Sequence, residues 1–118
     1  MPQERSTTAP NRADHSALAE ALRRAVLEGP GETDPTLRRA VAERAAGGPP
    51  AKSPFDDLAR QIGEAACRVT DAQVKAVLKA TRGEKAAFEI IAAAAMGAGL
   101  FRWQQALKAM EAATDAPE

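Results

Sequence analysis

The run Ala92-Ala93-Ala94-Ala95-Met96-Gly97-Ala98-Gly99 constrains the fold of this chain more than any other segment. Apart from Met96, no side chain in it extends beyond Cβ. Strands draw on β-branched and aromatic residues, whereas alanine is the best helix former, so the run predicts a slim helix. Small side chains on every face let neighbouring helices approach backbone to backbone. A glycine inside a helix costs about 1 kcal/mol against alanine, so Gly97 and Gly99 predict either a very close helix contact or a kink. The rest of the composition points the same way. Of 118 residues 45% are hydrophobic, but 29 are alanines and only 24 are larger apolar residues. That is enough for one domain and poor for a self-sufficient core. The run is thus expected in a central helix of a small bundle, which can also pack against a second subunit.

Proline, glycine and capping residues divide the chain into five helical segments. Residues 1–13 are polar and lack periodicity, and are expected to be a disordered leader before a single domain over 14–115. Leu18, Leu22, Ala25 and Val26 recur at helical spacing, predicting a first helix over 16–28 with that stripe inward, stopped by Gly29-Pro30-Gly31. Asp34-Pro35 starts a second helix over 35–46: the carboxylate can accept from free backbone N–H groups, and proline at the first position has no N–H to lose. Leu37, Val41 and Ala40 or Ala45 form its stripe, and 47–53 is a linker. Ser53-Pro54-Phe55-Asp56 approximates a capping box and opens a third helix, with Leu58, Ile62, Ala65, Ala66 and Val69 on one face. Thr70 and Gln73 form a second box, so a fourth helix begins where the third stops and ends near Gly83. The last helix runs from Glu84 to about Ala113, with Phe88, Ile91, Ala95, Gly99, Trp103, Ala106 and Met110 at helical period. Ile90, Met96, Leu100 and Leu107 widen that stripe. No segment alternates with a period of two, and the expected fold is all-α.

Sixteen basic and sixteen acidic residues cancel, leaving no overall field toward nucleic acid or anionic lipid. The doublets Arg23-Arg24 and Arg38-Arg39 point about 100° apart on their helices and make weak patches, so no nucleic-acid partner is expected. The apolar run 86–101 is shorter than the roughly 20 residues of a bilayer span and is interrupted by Glu89. It predicts a soluble core and no membrane partner. The N-terminus lacks the basic and apolar regions of a secretory signal. With a lone thiol, this predicts a cytoplasmic protein.

One cysteine excludes an internal disulfide, a CxxC pair and a Cys-rich zinc site. Cys67 is placed near the end of the third helix, where the helix dipole disfavours a thiolate. It reads as a structural residue among Ala65, Ala66 and Val69, with a one-cysteine redox role or an intermolecular disulfide as the alternative. His15 falls just before the first helix with no second ligand nearby, so neither metal nor cofactor is expected. Glu64, Glu84 and Glu89 could meet across the third and fifth helices as a carboxylate site, though carboxylates on exposed helix faces are commoner. There is no phosphate-binding glycine loop, no HExxH and no triad. An apolar pocket near Phe88, Met96, Phe101 and Trp103 is a further candidate. Ala92, Ala95, Met96, Gly99 and Trp103 are the expected oligomer or partner contacts, tryptophan being enriched at binding hot spots.

The segment from Leu58 to Leu107 resembles the carboxymuconolactone decarboxylase and alkylhydroperoxidase AhpD-like family. The resemblance lies in a helix running into Val69-Thr70-Asp71 and Val74, a short helix closed near Gly83, and Phe88-Glu89-Ile90 leading into the small-residue run. Asp34-Pro35-Thr36-Leu37-Arg38-Arg39-Ala40 resembles its small divergent members, so the likeness covers about 34–110. It implies an AhpD-like bundle of about five helices, with oligomers packed through helices. The family's redox members act through a CxxC pair with a nearby acid and histidine, and no position here matches that set. The expected function is therefore a non-catalytic helical homo-oligomer, an accessory or interaction protein. The alternatives are a decarboxylase- or peroxidase-type enzyme using Cys67 or Glu64, and an apolar small-molecule binder.

Overall fold

Two of the three N-terminal capping signals act where the sequence places them. In a computed structural model describing residues 12–115, the chain forms α1 (Arg12–Glu28), α2 (Pro35–Ala45), α3 (Phe55–Ala65), α4 (Asp71–Ala80) and α5 (Glu84–Asp115). A short 3₁₀ turn, Ala66–Arg68, follows α3. The fold is all-α, with five α-helices and no strand among the described residues. Asp34 Oδ1 accepts from the Thr36 N–H at 2.8 Å with Pro35 at the first position of α2. Thr70 and Gln73 exchange both bonds of their capping box at the start of α4. α2 closes by a Schellman motif: Gly48 N–H donates to Glu43 O and Gly47 N–H to Arg44 O. The φ of +94° at Gly47 is the left-handed conformation that this motif takes and that favours glycine.

Three boundaries differ from expectation, one being the end of α3, which gives way to the 3₁₀ turn after Ala65 instead of running to Val69. α1 begins at Arg12, so residues 12–13 of the expected leader are helical, while 1–11 lie outside the described residues. His15 accordingly sits inside the first turn, exposed, rather than before the helix. The Ser53–Asp56 box does not form, since Pro54 occupies the cap position without a side-chain bond. Asp56 instead accepts from Ala51 N–H at 2.9 Å and pairs with Arg44 Nε at 2.8 Å, tying the linker to α2.

The larger differences concern which face of each helix turns inward. In α1 most of the expected stripe points outward: Leu18 is 66% and Leu22 53% exposed and Ala25 is exposed, while Val26 packs partly against the core and Leu27 is 2% exposed. Nine residues separate Leu18 from Leu27, which at about 100° per residue is half a turn around the helix. In α5 the core is built from Ala86, Ala87, Ile90, Ala93, Ala94 and Ala98. Phe88, Ala95, Gly99, Ala106 and Met110 lie on the outer face. The small residues decide this. A Cβ on Gly97 would stand 2.2 Å from the carbonyl oxygen of Ala42, so α2 and α5 meet backbone to backbone. α5 remains one continuous helix through both glycines, so close contact and not a kink explains Gly97. Gly99 faces open space.

α3 joins the same core through Phe55, Leu58, Ala59 and Ile62, and α4 through Val77. The core occupies only the first half of α5. From Trp103 to Thr114 the side chains of α5 are exposed apart from half-buried Trp103 and Leu107. The radius of gyration is 17.5 Å, against about 13 Å for a compact chain of this length. The molecule is extended because long helices outrun the core.

Candidate functional site

Loop 29–34, between α1 and α2, is held by two charged side chains that reach it from opposite sides. Arg38 is 3% exposed. Its guanidinium donates to Val26 O at 2.7 Å, Gly29 O at 2.6 Å and Thr33 O at 3.4 Å. These carbonyls stand at the end of α1 and in the loop, where helix geometry leaves acceptors without partners. Glu89, from the second turn of α5, accepts from the backbone N–H groups of Glu32 and Thr33, both at 2.9 Å, and from the Thr33 hydroxyl at 2.6 Å. The Thr33 hydroxyl first, and then the loop N–H groups, hold the Glu89 carboxyl below its ordinary value. Such a carboxylate is pinned as an anion and is a poor proton donor. Sequence reasoning missed both roles, having read Arg38 as half of a weak basic patch. The available signals were an acid inside an apolar run and an arginine one step from Val41's stripe.

The candidate catalytic residues do not converge. Cys67 lies on the 3₁₀ turn and is exposed, not buried among Ala65, Ala66 and Val69 as expected. The turn rotates the chain away from the α3 stripe after Ala65, so the helical period no longer applies. Glu64 is also exposed, and its Oε2 accepts from Arg60 Nη1 at 2.8 Å. Glu84 is exposed in the first turn of α5. With Glu89 bound to the loop and Glu64 to Arg60, the carboxylate site does not form, and Glu64 and Glu84 stand on exposed helix faces, the commoner arrangement. No group of three or more His, Cys, Asp or Glu is placed to hold a metal ion among the described residues.

Glu64 does line a notch of about 210 Å³ together with Arg44, Arg60, Gly63, Phe101 and Arg102. Its three guanidinium groups are already engaged. Arg60 bridges Asp57 and Glu64, Arg44 pairs with Asp56, and Arg102 Nη2 donates to Gly63 O at 2.6 Å. Hydrogen bonds from Arg60, then from Gln73, lower the pKa of Asp57, and the same pairing raises that of Arg60. The notch is a closed set of ion pairs with no free base.

A second hollow, of about 150 Å³, is lined by Leu27, Ala42, Met96, Leu100 and Phe101 with polar residues at its rim. It joins two residues of the candidate apolar pocket, Met96 and Phe101. Neither Phe88 nor Trp103 lines it. The expected contact residues, by contrast, share a surface. Ala95 and Gly99 are exposed, and Ala92, Met96 and Trp103 are half-buried, on or beside the outer face of α5. The segment Glu84–Thr114 is long and apolar enough to cross a membrane by length and composition, and a third of its most apolar window is buried within the fold.

No family model matches the chain, and no curated protein or solved structure is significantly similar to it.

Proposed function

We propose that this chain is a non-catalytic helical homo-oligomer, an accessory or interaction protein on an AhpD-like scaffold, which associates through the outer face of α5. One observation carries the reading: a chain short of large apolar residues leaves Phe88 67% and Met110 57% exposed on the face of α5 opposite the core. Solitary exposed apolar residues are ordinary. Here they flank small residues along one line of one helix, which is how a helix–helix contact is built. The bonds that occupy Glu64 and Glu89 support the non-catalytic part.

A soluble, cytoplasmic setting without nucleic-acid or membrane partners belongs to the same proposal. It is supported by the balanced charge and by an exposed thiol, which suits a reducing compartment. The buried alanines of α5 and the bonds of Glu89 to loop 29–34 support its role as a core helix.

Light scattering during size exclusion, over a range of concentrations, tests the proposal. The chain is expected to elute as a dimer or larger species. The double variant Phe88→Glu, Met110→Lys is expected to elute as a folded monomer, because both side chains are exposed. A wild-type chain that stays monomeric at every concentration overturns the proposal.

A further inference from the structure

We propose that α1 and loop 29–34 form a strap that opens as one unit from an intact body of α2–α5, uncovering the apolar hollow between α2 and α5, with Thr33 as the pin of its latch. The inference goes beyond the self-association proposed above and does not depend on it.

α1 has little apolar hold on that body. Leu27 is its one buried side chain among the described residues, and only Ala19, Arg23 and Val26 are half-buried. α2, α3 and α5 each bury three or more apolar side chains. α4 also buries one alone, Val77, but α3 and α5 tie it to the body at both ends. An isolated helix of 17 residues is marginal in water. Once released, α1 therefore loses its helix as well, and its backbone N–H groups meet solvent.

Polar bonds hold the strap instead, and they converge. Arg38 of α2 binds Val26 O at the end of α1 and Gly29 O in the loop. Glu89 of α5 binds the loop two to four residues farther on. Thr33 belongs to both sets: its N–H and hydroxyl donate to Glu89, and its carbonyl accepts from Arg38 in a longer bond of 3.4 Å. Gly31 is part of the same fit. A Cβ there would stand 2.8 Å from both carboxylate oxygens of Glu89, so the loop seats the carboxylate only without a side chain at that position. An exposed ion pair of 3.9 Å from Glu28 to Arg39 adds little.

A latch of this kind can release where an apolar one cannot. In the open state the guanidinium, the carboxylate and the loop N–H groups all turn to water, so no buried polar group is left without a partner. A segment with few buried apolar contacts and a polar tether is the kind that opens below the cost of global unfolding. Leu27 lines the hollow of about 150 Å³ beside Ala42, Met96, Leu100 and Phe101. With the strap open, the α1 wall of that hollow is gone and its α2 and α5 walls face solvent. The close contact of Gly97 with Ala42 lies within the body and is kept.

Amide hydrogen exchange, read residue by residue by NMR under conditions where it follows the opening equilibrium, tests the proposal on the full chain. The N–H groups of Leu27, Gly29 and Thr33 are expected to share one opening constant, about a hundredfold above that of the buried residues of α3 and α5. Ile62→Val, a mild change inside the body, is expected to speed the α3 and α5 amides about fivefold and to leave the strap unchanged. Thr33→Val keeps the side-chain shape and removes the hydroxyl bond to Glu89. It is expected to speed the strap about tenfold, and the body by the same factor, because the latch is broken in the open and the unfolded states alike. Strap amides as protected as the body, or sped by Ile62→Val together with it, would show that α1 leaves only on global unfolding and overturn the proposal. A Thr33 N–H that exchanges apart from Leu27 and Gly29 would separate latch from helix and overturn the single unit. Strap exchange unchanged in Thr33→Val would overturn the assignment of Thr33 as the pin.

Discussion

Two glycines in one helix, two residues apart, should respond oppositely to the same substitution. Replacing either by alanine adds about 1 kcal/mol of helix propensity. At Gly99 nothing opposes the gain, since an added Cβ meets no atom within 4 Å. At Gly97 the added Cβ would lie 2.2 Å from Ala42 O and 2.6 Å from Ala42 Cα and carbonyl carbon. These are backbone atoms of a buried helix and have no rotamer to change. α2 and α5 must move apart by about 1 Å, an overpacking cost of about 1–3 kcal/mol. The propensity contribution is common to both variants, so their difference isolates the overpacking cost. Gly99→Ala should be stabilised by up to about 1 kcal/mol, with Gly97→Ala about 1–3 kcal/mol below it. Urea unfolding followed by circular dichroism reads this as a separation of about 1 M between midpoints, for a slope near 2 kcal/mol per M. Measurement at dilutions where the midpoint no longer depends on protein concentration keeps self-association out of the comparison. Coincident midpoints, or Gly97→Ala as the more stable of the two, would refute the close approach of α2 and α5.

The two charged anchors of loop 29–34 make further predictions. Arg38→Met keeps the buried stem but removes every donor to Val26 O, Gly29 O and Thr33 O. It is expected to cost about 3 kcal/mol and to speed amide exchange in α1 and the loop before α3 is affected; unchanged exchange there would refute the anchoring role. Glu89 contributes stability that depends on pH in a defined direction. Its pKa in the folded chain lies below 4.5, so the stabilisation is complete above pH 4.5 and is lost as the pH falls through the lowered value. The wild-type advantage over Glu89→Gln in urea midpoint should therefore shrink on acidification below pH 4.5. An advantage that stays constant through that range would separate Glu89 from the acid response.

What could be read from the residues and what could not follows the range of the interactions concerned. The Asp34-Pro35 start, the Thr70–Gln73 box and the Gly47-Gly48 stop involve partners within a few residues, and the structure forms all three. The stripes of α1 and α5 were visible as stripes, but their direction was not. Leu18 and Leu22 look like core residues by spacing, yet they stand in water because α1 meets the core through Leu27. The partners of Arg38 and Glu89 were not legible for a related reason. Glu89 binds a loop 56 residues earlier in the chain, and no local pattern encodes such a partner.

The amino-acid sequence alone determined an all-helical chain, most of its helix boundaries, and the absence of a CxxC pair or a cysteine-rich metal site. Those properties follow from hydrogen bonds closed within one helical turn and from which side chains exist at all. Tertiary structure alone decided that α5 turns Ile90, Ala93, Ala94 and Ala98 inward and leaves Phe88 and Met110 outside. Ala42 and Gly97 let two backbones approach more closely than larger side chains would allow, and dense packing over that contact outweighs the burial of a few bulkier groups on the opposite face.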